Sequence, residues 1–240
     1  MSSIKIYEEI IKPIRVRNHS VIVRKENWIK NDSLHTRLTK NEEFQNNNDD
    51  LLNTLKTIFE NAQNGQIEIS RADILNETDH EKKLIMVLLW GYPTGGRGSN
   101  IANILNEREI IIQKLRAILK GNITQDEYKK LYYYEGENHK KVKLKGLGLS
   151  TMSKILYFFE VKIDNNPCLI FDTQILLSLQ KNNIDEFMNV DWKQTDEKYF
   201  EYLRIVNKIS KEKLKDSKIK PEAIELFLFH YNMHFKLEKK

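Results

Sequence analysis

Between Leu144 and Gln174 the chain reads LKGLGLSTMSKILYFFEVKIDNNPCLIFDTQ, and this stretch limits the fold more than any other. Gly146 and Gly148 flank Leu147, a spacing that lets the backbone turn tightly. Directly after it Thr151, Met152, Ile155, Leu156 and Phe159 recur at three- and four-residue intervals, which predicts a helix with one apolar face. Asn165, Asn166 and Pro167 break that pattern. A short apolar run from Leu169 to Phe171 follows, and Asp172 stands ahead of another apolar helix, Ile175 to Leu179. A glycine turn, a helix and an acid at the next helix start thus fall in one short stretch.

The 240 residues are enough for one sizeable core or two small lobes sharing one, and too few to favour two independent domains. A composition 40% hydrophobic and 30% charged is globular, and no apolar run approaches the roughly 18–20 residues that cross a bilayer. The start, MSSIKIYEEIIKP, lacks the pattern of a secretory signal, so no membrane partner and a cytoplasmic location are expected. The one cysteine, Cys168, excludes an intramolecular disulfide or a thiolate metal cluster and reads as a small core residue. The net charge of +5 leans mildly toward a polyanionic partner.

Residues 1–48 are the least regular. Val16, Val21, Ile22 and Val23 suggest a short strand or two in an N-terminal arm packed on a helical body, 49–240. Helical periodicity begins at Leu51, Leu52, Leu55, Ile58 and Phe59. Further helices are expected at Glu81 to Trp90, Ile101 to about Leu119, beyond Thr124, Asp196 to Leu214, and from Pro221. The expected class is all-α apart from the arm.

A GxG turn can leave its own N–H groups and those of the following helix start unpaired, which attracts phosphate and positions a protein on DNA without reading bases. Lys140, Lys141, Lys143 and Lys145, with His139, form a basic approach to it. The turn can equally be an ordinary helix–helix connection, with the lysines a solvated face.

The full register, LKGLGLSTMSKIL and then IFDTQ, resembles the helix-hairpin-helix base-excision DNA glycosylases. The loop WGYPTGGRGSN and the IELFLF segment extend the likeness, over about 84–235, to the bacterial branch with an 8-oxoguanine DNA glycosylase fold. The resemblance implies a two-lobed helical fold with its hairpin at 144–151. It also implies that Lys143, Lys145, Gly146, Leu147, Gly148, Ser150 and Thr151 hold DNA and that Asp172 is catalytic. Lys145 stands where the family's hairpin usually has proline, the linker to Asp172 is longer than usual, and Gln174 replaces a frequent histidine. Bifunctional members carry a lysine two residues past the second glycine. Ser150 stands there, and a hydroxyl cannot form an imine, so a monofunctional enzyme using water is expected; Lys145 and Lys154 are amines nearby in sequence.

Cleavage of an N-glycosidic bond builds positive charge on the sugar, which a carboxylate can stabilise while it orients water. Asp172 suits that task, and it can equally serve as a helix N-cap. A base flipped from the duplex needs walls and polar contacts. Trp90, Tyr92, Gly96, Arg97 and Gln174 are the candidates, although Trp90 alone reads as core. Tyr132, Tyr133 and Tyr134 read more readily as packing than as a wedge, and His230 and His234 lack the partners of a zinc site. No cofactor is required; the resemblance allows a monovalent cation on the hairpin carbonyls. DNA is the expected partner and a monomer the expected state. Alternatives are a noncatalytic helix-hairpin-helix DNA-binding protein and a glycosylase acting on modified phage bases.

Overall fold

The computed structural model describes residues 3–29, 45–96, 100–136, 139–181 and 184–234, with side chains from residue 50 in the second helix and as far as residue 231 in the last. In chain order the helices are α1 (Glu8–Ile11), α2 (Gln45–Ile58), α3 (Arg71–Asn76), α4 (His80–Gly91), α5 (Asn100–Asn106), α6 (Arg108–Ile118), α7 (Gln125–Lys130), α8 (Leu149–Phe158), α9 (Thr173–Lys181), α10 (Asp185–Met188), α11 (Asp196–Lys208) and α12 (Pro221–His234). The strands are β1 (Ser20–Arg24), β2 (Gln66–Ser70), β3 (Asn122–Ile123), β4 (Tyr133–Glu135), β5 (Lys141–Lys143), β6 (Lys162–Ile163) and β7 (Asn166–Pro167).

The described residues are mostly helical, β1 lies where Val21, Ile22 and Val23 suggest a strand, and the all-α expectation for the body needs correcting for the partner strand β2 and for two further small sheets, β3–β6–β7 and β4–β5. Their strands are too short for alternation to stand out in sequence, and most find partners far away in the chain. The helix expected over 101–119 is two, α5 and α6, separated at Glu107 (φ −98°, ψ 12°) with no glycine or proline to mark the break. The helix from Asp196 ends at Lys208 and is followed by a π-helical turn, Ile209–Lys213.

The chain divides into two units. The first comprises residues 17–119 and 126–148, and the second residues 3–16, 120–125 and 149–234. Of the segment expected as one N-terminal arm, 3–16 belong to the second unit and 17–29 to the first.

In the first unit β1 and β2 pair antiparallel, Val21 facing Ile69 and Val23 facing Ile67. Ser70 and Asp73 form a capping box that starts α3, each side chain bonding the other's backbone N–H. Asp79 caps α4, whose residues Lys83 to Trp90 are all buried, so this helix is the unit's central rod. Leu51, Leu55, Phe59, Ile74, Ile104 and Ile111 complete its core.

In the second unit Asp164 and Asn165, both at positive φ, make the two-residue turn joining β6 to β7, a conformation that short polar side chains tolerate. β3 adds to β6 in parallel. Phe171 lies 5.2 Å from the ring of Tyr202, and the Tyr199 hydroxyl donates to the Leu169 carbonyl at 3.1 Å, so the segment ahead of Asp172 is tied into the core. Cys168 is 3% exposed, as expected, and burial pushes its thiol up to about 12.

Candidate active site

Asp172 is the residue before α9 and its carboxylate is used at both oxygens. Oδ1 accepts the backbone N–H groups of Gln174 at 3.0 Å and Ile175 at 3.2 Å, two of the donors a helix start leaves without intrahelical partners. Oδ2 accepts from Lys154 Nζ at 3.2 Å. The aspartate side chain is 17% exposed and the lysine side chain 5%. Capping is therefore realised, and it consumes only one of the two oxygens.

Lys154 comes from α8, the helix after the glycine turn, and also donates to Ser150 Oγ at 3.1 Å and to the Ser150 carbonyl at 3.4 Å. The i,i+4 spacing puts Ser150 and Lys154 on one helix face, so an amine lies one turn beyond the position that carries serine. Ser153, fully buried, donates to the Ser150 carbonyl at 3.1 Å and accepts the Phe171 N–H at 3.0 Å. α8 and the strand-like run into Asp172 are thus clamped side by side by two side chains. The Ser153 clamp was not anticipated from sequence. A buried serine in an apolar helix face was the available signal.

The glycine turn belongs to the first unit. Gly146 has φ +76°, and a Cβ there would lie 2.4 Å from the Asn100 carbonyl oxygen, so glycine is required for both conformation and space. A Cβ on Gly148 would meet nothing within 4 Å. Leu147 is 4% exposed and plugs the turn into the core, while Lys143 and Lys145 are exposed. The Lys145 N–H donates to Glu107 Oε2 at 2.7 Å, and burial raises the Glu107 carboxyl above its ordinary range against the lowering effect of that bond. The Gly146 carbonyl accepts the Gly148 N–H at 3.1 Å. In the second unit the first-turn N–H groups of Leu149 and Ser150 find no acceptor among the described residues. Thr151 is 5% exposed.

Of the candidate base contacts, Trp90 is 6% exposed in α4, edge-on to His19 at 5.3 Å and covered by the Arg71 guanidinium at 5.3 Å. It is a core residue, as it reads alone. Tyr92 and Gln174 are half-buried. Gly96, at φ +73°, accommodates Ile101, whose Cγ1 would lie 2.6 Å from an added Cβ. Arg97 lies outside the described residues. Tyr132 is buried with its hydroxyl 2.7 Å from that of Tyr128, while Tyr133 and Tyr134 lie on β4 instead of a helix end. No group of three metal-ligating side chains occurs among the described residues, and no helix there is long and apolar enough to cross a membrane.

Residues 14–229 match the family described as "Putative 8-oxoguanine DNA glycosylase OGG-like protein", and the chain belongs to that family. No curated protein and no solved structure matches it.

Proposed function

We propose that this protein is a monofunctional DNA glycosylase that flips a damaged or modified base and hydrolyses its N-glycosidic bond. The carrying observation is the Asp172 carboxylate, fixed at Oδ1 by the α9 N-terminus and at Oδ2 by Lys154 while 17% of the side chain faces solvent. A carboxylate so held needs no reorganisation to stabilise an oxocarbenium-like sugar and to orient the attacking water. Family membership supports DNA as the substrate.

Lys154 is a positioning residue in this reading. Its ammonium is spent on Asp172 and on Ser150, which suits a tether better than a nucleophile. The turn with Lys143, Lys145, Gly146, Leu147 and Gly148, and the contiguous Ser150 and Thr151 backbone, anchor phosphates in the manner of a helix-hairpin-helix element. Gln174, two residues past Asp172 in the same unit, is a candidate for contact with the base.

The test is base release from duplexes carrying a panel of lesions and phage-type modified bases, comparing the natural chain with Asp172→Asn. Strand breaks that need alkali and the natural aspartate are expected, with no adduct trapped by borohydride. Equal release by both proteins, or none by either alongside retained DNA binding, would overturn the assignment of Asp172; an adduct would overturn the water mechanism.

A further inference from the structure

The segment between α7 and the glycine turn is a two-stranded ribbon that neither capping nor base chemistry uses. β4 and β5 pair antiparallel with Tyr133 opposite Lys143, Tyr134 opposite Val142 and Glu135 opposite Lys141. Backbone bonds from Leu144 to Tyr132 and from Gly136 to Lys140, both 2.8 Å, extend the ladder at each end. Its root is firm, because Leu144 is 2% and Tyr132 7% exposed.

Strand alternation sorts the side chains. Lys141 and Lys143 are exposed on one face with Tyr133 and Glu135, and Tyr134 and Val142 lie on the other. Lys141 Nζ stands 4.2 Å over the Tyr133 ring, which stiffens a long side chain without neutralising it. Among the described residues the carboxylate on that face is Glu135, which stands opposite Lys141 and is engaged by His139. Neither Lys141 nor Lys143 forms an ion pair among the described residues. Lys141 and Lys143, about 6.6 Å apart along the strand backbone, thus give this face positive charge that attracts a polyanion.

We infer that this lysine face extends the DNA-backbone contact of the glycine turn onto the ribbon, with Lys141 and Lys143 tracking phosphates of the duplex that continues from the turn. It rests on the reading of the chain as a DNA-acting protein. It contributes affinity and orientation, and no base readout, because lysines act here as point charges and the one aromatic face is covered by Lys141.

The experiment measures binding of the full chain to undamaged duplex DNA across a salt series. Each phosphate contact contributes a slope of about −0.9 in log Kobs against log salt, so Lys141→Gln/Lys143→Gln should flatten the slope by about 1.8. Between 50 and 200 mM salt, the natural chain should then lose about twelvefold more affinity than the double variant. Lys5→Gln/Lys12→Gln, which removes the same charge from exposed positions elsewhere, should leave the slope unchanged.

Equal slopes for the natural chain and the ribbon variant would overturn the inference, as would an equal flattening by the control pair. Base release by the natural chain is read separately. Its presence with an unchanged slope sinks the ribbon and keeps the glycosylase, and its absence with a flattened slope does the reverse.

Discussion

Breaking the Lys154–Asp172 pair tests whether the two act as one unit. At 3.2 Å the gross attraction is about 5 kcal/mol for an effective dielectric of about 20, most of it offset by desolvation of two largely buried groups. Lys154→Met leaves Asp172 with its two N–H donors and its partial exposure. The cost should therefore fall below the roughly 3–5 kcal/mol of a broken buried pair, to about 2 kcal/mol, a fall in Tm of about 4–8 °C. Asp172→Asn should cost a similar amount, because a single amide oxygen can serve the α9 N–H groups or Lys154 but not both. In the double variant that oxygen returns to the helix and no ammonium is left behind, so its cost should be less than the sum by about 1–2 kcal/mol. Thermal and urea unfolding of the four proteins at neutral pH measures the cycle. Additivity within about 0.5 kcal/mol would refute the coupling, and with it the assignment of Lys154 as the group that positions Asp172. The same Lys154→Met protein should release base at least about tenfold more slowly, a loss of about 1.4 kcal/mol of transition-state stabilisation.

Ser153→Ala should destabilise the fold by about 2 kcal/mol, since it removes the acceptor of the buried Phe171 N–H; unfolding indistinguishable from the natural chain would contradict the clamp. The two glycines of the turn should separate. Gly146→Ala meets the Asn100 backbone and lowers Tm by several degrees, whereas Gly148→Ala should leave Tm unchanged and weaken DNA binding, and equal Tm losses would refute that division. Burial raises the Glu186 carboxyl, but bonds from Lys213 Nζ, the Ile4 N–H and the Ser3 hydroxyl outweigh it and hold it below the ordinary value of 4.5. A depressed carboxyl stabilises the fold above its unfolded value, and that contribution is lost as pH falls below 4.5 through the folded value. Hydrogen exchange at the Ile4 amide should therefore accelerate, beyond its intrinsic pH dependence, on going from about pH 6 to about pH 3. Equal protection at both would count against it, and Glu186→Gln should abolish the change.

Local chemistry made much of this legible in the sequence. Gly146 and Gly148, the apolar repeat of α8, the Asn–Asn–Pro break and the acid before α9 are neighbour effects, and each lies where spacing puts it. Pro221 likewise opens α12. The ribbon escaped because Tyr132, Tyr133 and Tyr134 follow directly on α7 and continue its apolar pattern, while the signal for β5 is only the three residues of Lys-Val-Lys. β3 and β6 pair residues 40 positions apart, Asn122 with Lys162 and Ile123 with Ile163, and no local propensity encodes that register. Lys154 could be placed on the Ser150 face of α8 by counting, but its bond to Asp172 depends on how the break at 165–167 folds back. That depends on the turn at Asp164 and Asn165 and on the Ser153 clamp.

Capping at Asp172 does not compete with the proposed catalysis. A cap needs one acceptor for the N2 and N3 donors, and Oδ1 supplies it alone. The bonds that make the residue a cap also remove its rotational freedom, so Oδ2 points in a fixed direction, toward Lys154 and the Ser150 face of α8. Capping is then the means by which a carboxylate is held in place ahead of any substrate. A carboxylate on a flexible loop would have to lose that freedom in the transition state, at a cost of up to about 1–2 kcal/mol in rotamer entropy. Moving the acid one residue earlier or later would keep the charge nearby but lose the Oδ1 bonds. Spacing from the helix start is therefore as demanding a requirement on this site as the identity of the residue.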